Sequence, residues 1–230
     1  MDHSRINNRW PMAREGIPFI IISAGLLLIV LLAALYYASV IAGLAFVFVI
    51  YFFRDPERTP ASDSPASVLT PADGRILEIV HIPENHSPTG LPAVKISIFM
   101  SVFNVHVNRM PLGGTVQEIT YHPGRFLSAN LDKASKENER NEIAVQATDA
   151  GKIVVVQIAG LIARRIACWV EKGDHVKAGQ RFGLIRFGSR VEVYLPPETR
   201  ITVQVKQRVR AGETVMGYLR DRGIEGLRKG

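Results

Sequence analysis

The stretch VKAGQRFGLIRFGSRVEVYLP (residues 176–196) contains two short runs rich in β-branched and aromatic residues, one on each side of Gly188-Ser189. Runs of this composition, bounded by Gly and Pro, are typical of strands joined by turns. The start of the stretch resembles VRAGETVMGYL (residues 209–219), because both read Val, a basic residue, Ala-Gly, a polar residue and then an apolar run. Two similar β-turn-β units, which begin 33 residues apart, predict a pseudo-symmetric fold.

Comparable runs follow one another along most of the chain. They include RILEIVHI, AVKISIFM, GTVQEITYH, EIAVQAT and KIVVVQIAG. We therefore predict a mainly β protein, built as a flattened pseudo-symmetric β-barrel or sandwich. Biotinyl- and lipoyl-carrier domains have similar elements, so a carrier or adaptor module is a competing interpretation. A carrier presents a modifiable Lys at its hairpin tip, however, and this chain has Gly188-Ser189 there.

The N-terminal segment 16–53 contains no Asp, Glu, Lys or Arg. One membrane-spanning helix needs about 20 apolar residues, and this segment is nearly twice that long. We predict a helical hairpin that breaks near residues 37–39 or at Gly43 and that spans or dips into a membrane; one long tilted helix is the alternative. The aromatic run YFF (51–53) is typical of the head-group interface, and arginines on both flanks favour cytoplasmic ends.

The predicted organisation is a cytoplasmic N-terminal tail (1–16), membrane-anchoring helices (17–53) and one catalytic or binding domain (54–230). The net charge of +7 indicates an anionic partner. The chain lacks runs of five or more Lys and Arg, and its aromatics do not alternate with basic residues as on a base-stacking platform. Membrane lipid is therefore favoured over nucleic acid. The single Cys168 excludes an intramolecular disulfide, and no metal site is expected.

Three polar residues near predicted turns or strand ends are candidates for chemistry: Asp73 in TPADGRI, His106 in FNVHVNRMP, and Ser189 after Gly188. In such a set the Asp orients the His and the His deprotonates the Ser. A hydrolase would place its Ser on a G-x-S-x-G elbow between a strand and a helix, whereas RFGSRVEV predicts strand-turn-strand. Another target for Ser189 is its own backbone, because its hydroxyl can attack the Gly188 carbonyl.

Several motifs together resemble those of the phosphatidylserine decarboxylase family. They are TPADGRI, FNVHVNRMPLGGTV, YHPGRFLSAN, NER at residues 138–140, and VEKGDHVKAGQRFGLIRFGSRVEVYLP, in the family's order and spacing. The likeness runs from about residue 54 to residue 219, and the short chain with its apolar segment resembles the compact prokaryotic, decarboxylase-related branch.

The resemblance implies a pyruvoyl-dependent decarboxylase made as a proenzyme. Cleavage between Gly188 and Ser189 would give a long β chain (1–188) and a short α chain (189–230) that stay together as a heterodimer. Ser189 would become the pyruvoyl cofactor, which forms a Schiff base with phosphatidylserine and releases CO2 to give phosphatidylethanolamine. By position, Asp73 and His106 match the family's Asp and the first His of its His-containing motif.

Two positions depart from the family's usual pattern. Arg190 follows the cleavage serine, where relatives often have Thr or Ser, and Arg109 stands where many members carry a second His. His106 then serves both steps, or Arg109 takes an electrostatic role. Arg109, Arg125 and Lys133 are candidates for binding the lipid phosphate. The alternatives are a decarboxylase of a related serine-headed phospholipid and a non-enzymatic, membrane-tethered adaptor.

Overall fold

A computed structural model describes residues 3–8, 10–62, 64–128, 137–148, 151–161, 165–186 and 188–220. Within these residues three helices come first: α1 (His3–Ile6), α2 (Ile17–Leu32) and α3 (Tyr36–Phe52), with 3-10 turns at Arg14–Gly16 and Glu84–His86. The described strands are β1 (Ser67–Leu69), β2 (Gly74–Ile82), β3 (Ala93–Met100), β4 (Val107–Arg109), β5 (Gly114–His122), β6 (Arg140–Ala147), β7 (Gly151–Ala159), β8 (Ile166–Cys168), β9 (His175–Val176), β10 (Arg181–Ile185), β11 (Ser189–Leu195), β12 (Arg200–Ile201), β13 (Arg208–Val209) and β14 (Val215–Tyr218).

Eight of these strands form one curled antiparallel sheet in the order β13-β2-β3-β11-β7-β6-β5-β9. Two three-stranded sheets, β1-β14-β12 and β4-β10-β8, accompany it. Strand β11 lies in the middle of the large sheet and pairs with β3 on one side and β7 on the other. The prediction of a mainly β protein is confirmed, whereas the likeness to carrier domains is not confirmed by this topology.

The strands repeat one arrangement twice. The first half contains β1, β2, β12, β13 and β14; the second half contains β4, β5, β8, β9 and β10. Gly74 lies opposite Val209 in the first half, and Gly114 lies opposite Val176 in the second. Equivalent residues are therefore 40 positions apart in β2 and β5, and 33 positions apart in β13 and β9. The repeat seen in VKAGQ and VRAGE is therefore real and extends well beyond those segments.

Alternation along β11 sorts its side chains between two faces of the sheet, because successive side chains of a strand point in opposite directions. Val191, Val193 and Leu195 are fully buried in the main core. Ser189 has the same parity and is also fully buried. The strand therefore places the candidate serine on the core face of the sheet.

The apolar helices α2 and α3 pack against each other. Near the start of α2 and the end of α3, Ala13 N–H donates to Phe53 O at 2.7 Å. Arg14–Leu32 is long and apolar enough to cross a membrane by length and composition, while α3 is apolar but shorter. Helices of 16 and 17 residues are about 24–26 Å long, against about 30 Å for a bilayer's hydrocarbon core. Many of their large apolar side chains are exposed, as in helices that face lipid.

The predicted pair of helices is present, but the break lies at 33–35 and not near residues 37–39 or Gly43. Helix α2 ends in a Schellman motif, in which Leu35 N–H donates to Val30 O at 3.1 Å and Ala34 adopts a φ of 54°. Ser39 lies within α3, and its backbone N–H donates to Leu35 O at 2.8 Å. Gly43 also lies within α3.

A buried ion-pair cluster holds the segment after α3 on the β domain. Asp55 is 2% exposed and lies 2.8 Å from Arg181 Nε and 3.6 Å from Arg109 Nη2. Phe52 and Phe53 are each 1% exposed and pack into the main core. The prediction of an interfacial aromatic belt is therefore wrong for these two residues, because they fill the space between the hairpin and the β domain.

Candidate active site

Gly188 and Ser189 lie where the chain enters β11. Gly188 has a φ of +67°, in the left-handed region that glycine adopts without steric cost. Ser189 is fully buried, pairs with Met100 on β3 and Ala159 on β7, and donates its hydroxyl to Met100 Sδ at 3.4 Å. The expected strand-turn-strand is confirmed, with the turn glycine directly before the buried serine.

His106 lies beside this turn and is fully buried. Its Nδ1 lies 2.9 Å from Asn104 O, and because a carbonyl only accepts, Nδ1 carries the proton. The unprotonated Nε2 then accepts a long hydrogen bond of 3.5 Å from Gly188 N–H. Burial lowers the pKa of His106 to about 4, and the nearby Arg54 charge adds to this. At neutral pH the imidazole is therefore a neutral base directed at the Gly188-Ser189 turn.

The hairpin forms part of the surroundings of this histidine. The Phe52 ring lies against the His106 ring with their centroids 4.2 Å apart, and Phe53 stacks on Phe19 of α2 at 5.3 Å. The Phe52 ring excludes water from one face of the imidazole. Sequence reasoning missed Phe52, since nothing in the run YFF distinguishes a ring that faces lipid from one that faces a candidate catalytic side chain.

Asp73 has different partners from those expected. Its carboxylate accepts a 2.8 Å hydrogen bond from Ala211 N–H and pairs with Arg58 Nη2 at 3.1 Å. His106 Nδ1 is bonded to the Asn104 carbonyl instead. The triad geometry in which Asp73 orients His106 is therefore a wrong expectation: a backbone carbonyl orients the ring, and Asp73 fixes the turn at Ala211.

A chain of buried amides lies behind Ser189. Asn141 Nδ2 donates to Gln157 Oε1 at 3.2 Å, and Gln157 Nε2 donates to Asn108 Oδ1 at 2.9 Å. Asn108 Nδ2 in turn contacts Met100 Sδ at 3.6 Å, the same sulfur that accepts the Ser189 hydroxyl. Sequence reasoning missed these residues, although Asn108 stands out as an amide in the buried strand that follows His106.

The three candidate phosphate-binding residues lie in different environments. Arg109 is 6% exposed, and its guanidinium donates to the carbonyls of Gly179 and Pro56 at 3.0 Å each. Burial lowers its pKa to about 10. These contacts use Arg109 to join the post-helix segment to the β domain, which disfavours a substrate-binding role. Arg125 is exposed and lies 3.5 Å from Glu137 Oε2; Lys133 lies outside the described residues.

Arg190, the unusual residue after the serine, points to the opposite face of the sheet from Ser189. It is 1% exposed, and its Nη1 lies 3.3 Å from Glu192 Oε1 on the same strand. The ion pair provides a counter-charge for the buried guanidinium.

A cleft of about 820 Å³ adjoins this region. Its lining includes Asp73, Arg75, Phe103, Asn104, Arg208 and Arg210. Because Asn104 also holds His106 Nδ1, the cleft lies next to the candidate base. Among the residues that the structure describes, no group of three or more His, Cys, Asp or Glu side chains is arranged to hold a metal ion.

Comparison with known proteins identifies the family. A family model described as phosphatidylserine decarboxylase matches residues 45–217. A protein named phosphatidylserine decarboxylase proenzyme from Syntrophus aciditrophicus (strain SB) is 53% identical over 209 residues, which cover 90% of this chain and 96% of that protein. Proteins of the same name from Desulfotalea psychrophila and Pelobacter propionicus are 48% and 46% identical, and the matches cover 91% and 93% of this chain and 97% and 99% of those proteins.

The matched segment contains the complete candidate site, from Asp73 through His106 to Gly188-Ser189. It also contains nearly all of the described strands. The match extends over most of the chain and over nearly the full length of the relatives. This chain therefore belongs to the phosphatidylserine decarboxylase family.

Proposed function

We propose that this chain is the proenzyme of a decarboxylase that converts phosphatidylserine to phosphatidylethanolamine and CO2. The observation that carries the proposal is the neutral His106 Nε2, which faces the Gly188 amide at 3.5 Å where the chain enters β11. Membership in the phosphatidylserine decarboxylase family supports the same reaction. The three features that self-processing needs are a permissive glycine, a serine and a base; Gly188 and Ser189 are adjacent in one turn, and His106 lies beside it.

Self-cleavage begins when Ser189 Oγ attacks the Gly188 carbonyl carbon. The new C–O bond replaces the C–N bond, and His106 moves the hydroxyl proton to the released amine. Loss of the Ser189 Cα proton then expels the Gly188 carboxylate and leaves dehydroalanine, whose imine tautomer reacts with water to give ammonia and a pyruvoyl group. The hydroxyl now contacts Met100 Sδ, a weak acceptor, so little is lost when it turns towards the carbonyl.

The pyruvoyl group supplies an electrophilic carbonyl that takes up the substrate amine and the electrons released with CO2. The site suits it, because Ser189 is fully buried and lies beside a neutral base. We assign to His106 the delivery of a proton to the product carbon, after its neutral Nε2 has taken that proton from the substrate ammonium group. Asp73 is the proposed positioning residue, since it fixes Ala211 and Arg58 beside the cleft. Arg125 stays a candidate contact for a lipid phosphate.

We place α2 and α3 in the cell (inner) membrane and the β domain on the cytoplasmic side. Their exposed apolar surface and the arginines on both flanks support this arrangement. The end of α3 contacts His106, so the helices assigned to the membrane lie next to the candidate site. The proposed organisation is then a tail (1–16), a membrane anchor (17–53) and a catalytic domain (54–230). After cleavage, the chains 1–188 and 189–230 would share one flattened barrel of carrier-like elements.

Intact mass and denaturing electrophoresis test the proposal. The purified wild-type protein is expected to consist of two chains, cleaved between Gly188 and Ser189. The shorter chain should react with hydroxylamine. Ser189→Ala is expected as one full-length chain. The matched control is Ser67→Ala, which removes another buried serine hydroxyl and should leave cleavage unchanged. A wild-type protein that stays full-length and unmodified would contradict the proposal.

Experiments on the same purified protein distinguish the proposed enzyme from two alternatives. A membrane-tethered carrier-like adaptor, suggested by the internal repeat, predicts an intact chain without carbonyl reactivity. A decarboxylase for a related serine-headed phospholipid predicts normal cleavage but a different product. Incubation with defined lipids, followed by mass analysis of the products, separates that enzyme from a phosphatidylserine decarboxylase.

A further inference from the structure

Three buried side-chain amides join the large sheet to the β4-β10-β8 sheet, and the last of them lies beside the cleavage serine. Asn141 on β6 and Gln157 on β7 lie opposite each other in the large sheet, and Asn108 lies on β4. Each is 4% exposed or less. A buried amide group left without a partner costs about 1–3 kcal/mol, so each end of this chain of amides must be accounted for.

The hydrogen bonds fix the direction in which the Asn108 amide points. Its Oδ1 accepts from Gln157 Nε2 at 2.9 Å, so its Nδ2 faces the other way, towards Met100 Sδ at 3.6 Å. A thioether has no proton to donate, so the opposite orientation would leave the amide oxygen facing the sulfur without any bond. The chain of amides therefore ends with a donor on the Met100 sulfur.

The same sulfur brings Asn108 next to the reacting serine. Ser189 Oγ donates to Met100 Sδ at 3.4 Å, so Asn108 Nδ2 and Ser189 Oγ are neighbours on one atom. On the other side of the turn, His106 Nε2 accepts from Gly188 N–H. His106 and Asn108 are two positions apart in the chain, and they flank the Gly188-Ser189 bond as a base and a hydrogen-bond donor.

Asn108 Nδ2 gains little from its contact in the uncut chain. Met100 Sδ is its only acceptor among the described residues, and a thioether accepts weakly. The proposed self-cleavage creates a much better acceptor at this place, because Oγ of the ester leaves Ser189 as part of a carboxylate. Hydrogen bonds to ionised acceptors are about twice as strong as neutral ones. A contact that is weak before a step and strong during it lowers the barrier of that step.

The fold itself does not require an amide at this position. Val68 occupies the equivalent place in the first half: it lies opposite Gly217, as Asn108 lies opposite Gly183, and each pair stands next to a shift of register. Val68 and Asn108 are both fully buried. The repeat therefore accepts a β-branched apolar side chain where the second half carries an amide.

We propose that Asn108 donates from Nδ2 to Ser189 Oγ as that oxygen leaves in the elimination step of self-cleavage. His106 takes the Cα proton of Ser189, the Cα–Cβ double bond forms, and the Cβ–Oγ bond breaks with its electron pair on the Gly188 carboxylate. Gln157 positions the donor, since it holds Asn108 Oδ1. The inference rests on the proposed function and adds a residue that acts after the ester has formed.

Trapping of the ester in Asn108→Val tests the assignment. Hydroxylamine cuts the ester and leaves a shorter chain that begins with unmodified Ser189, whereas elimination leaves one that begins with the pyruvoyl group; intact mass distinguishes them. Pyruvoyl formation should slow by about 100-fold or more, and the full-length variant should be split by hydroxylamine. The control is Thr70→Val, which removes another fully buried donor, bonded to Arg210 O at 2.6 Å, and should form pyruvoyl at the wild-type rate.

Asn108→Thr has the shape of the valine variant and keeps one hydroxyl, which can accept from Gln157 Nε2 and still donate its proton. It should form pyruvoyl faster than Asn108→Val, and denaturant unfolding shows which variants are folded. If only Asn108→Thr is folded, its ester decides: more trapped ester than in Thr70→Val supports the assignment, and none overturns it.

Three results with folded variants overturn the assignment: a wild-type rate in Asn108→Val, a full-length Asn108→Val chain that resists hydroxylamine, or equal rates in the valine and threonine variants. The second result would place Asn108 before ester formation. Failure of the proposed function is distinct, because wild-type protein would then stay uncleaved and would carry no pyruvoyl group.

Discussion

The two halves of the β domain share a backbone plan and differ in their charged residues. At equivalent positions the first half has Asp73, Arg75, Lys206 and Arg208, where the second half has Gly113, Thr115, Gly173 and His175. Lys206 N–H and Gly173 N–H even make the same bond, to Ile76 O and Val116 O respectively, both at 2.8 Å. The repeat thus provides the frame, and the chemistry lies where the halves differ.

The second half departs from the first at another place, where the hairpin is attached. Arg109 and Arg181 are buried there around Asp55, and the first half has Leu69 and Thr214 at the equivalent positions. The buried ion-pair cluster that holds the segment after the hairpin is therefore built by residues of the second half. His106 contacts the helical hairpin through the ring of Phe52.

The largest effect is expected from His106→Gln, which keeps a side chain of similar volume but removes the base. The first half has Ala66 at the equivalent position, so the repeat does not require a histidine. Self-cleavage should slow by about 100-fold or more, the usual contribution of a general base. Time-resolved electrophoresis of newly synthesised protein measures the rate. His175→Gln is the control from the second half, and equal rates of the two variants would contradict the role of His106.

The next largest effect is expected at the attachment of the hairpin. Asp55→Asn leaves the buried Arg109 and Arg181 without a full counter-charge, which typically costs about 3 kcal/mol of unfolding free energy. Denaturant unfolding in detergent measures it. The control is Glu57→Gln, because Glu57 pairs with Arg181 at 2.9 Å but is 70% exposed; its loss should cost less than about 1 kcal/mol. Equal losses would show that burial of the cluster is not what matters.

A pH effect is expected from Phe52→Ala. Burial holds the pKa of His106 at about 4, so the neutral base persists and the wild-type cleavage rate should be level above about pH 5. Admitting water beside the ring removes part of the desolvation, and the pKa then rises towards 6.5. As the pH is lowered, the cleavage rate of the variant should therefore fall with an inflection between pH 4 and pH 6.5. The control is Phe46→Ala, which changes another phenylalanine of α3. An inflection shared by both variants, or no shift in the Phe52 variant, would contradict the role of the Phe52–His106 contact.

The smallest effect concerns Lys206, which has a φ of 73° where Gly173 has 90°. A side chain in the left-handed region costs about 1 kcal/mol or more. Lys206→Gly should therefore raise the free energy of unfolding by up to about 1 kcal/mol, and Gly173→Ala should lower it by a similar amount. Thermal unfolding of both variants checks the pair. A destabilised Lys206→Gly would mean that the lysine makes a contact that outweighs the strain.

The sequence predicted the strands and the repeat, because alternation and turn residues are local signals. It also paired His106 with Gly188-Ser189, through motif order. The environments predicted for three residues differ from those in the structure: Phe52, Arg109 and Asp73. These environments depend on contacts with residues more than 50 positions away, or on partners such as Arg58 that no local pattern marks. The amides Asn108, Gln157 and Asn141 were missed for the same reason: each looks like an isolated polar residue until the strands pair.

The central place of β11 has a consequence for how the mature protein unfolds. In a chain cut before Ser189, the strand remains hydrogen-bonded to β3 and β7, so the cut leaves the folded state intact. Once the sheet opens, however, two molecules separate where there was one. Folding of the proenzyme is unimolecular, whereas reassembly of the cut chains is bimolecular and depends on concentration. The proposed cleavage would therefore make unfolding effectively one-way at low concentration, and the uncut proenzyme would be the form that can refold.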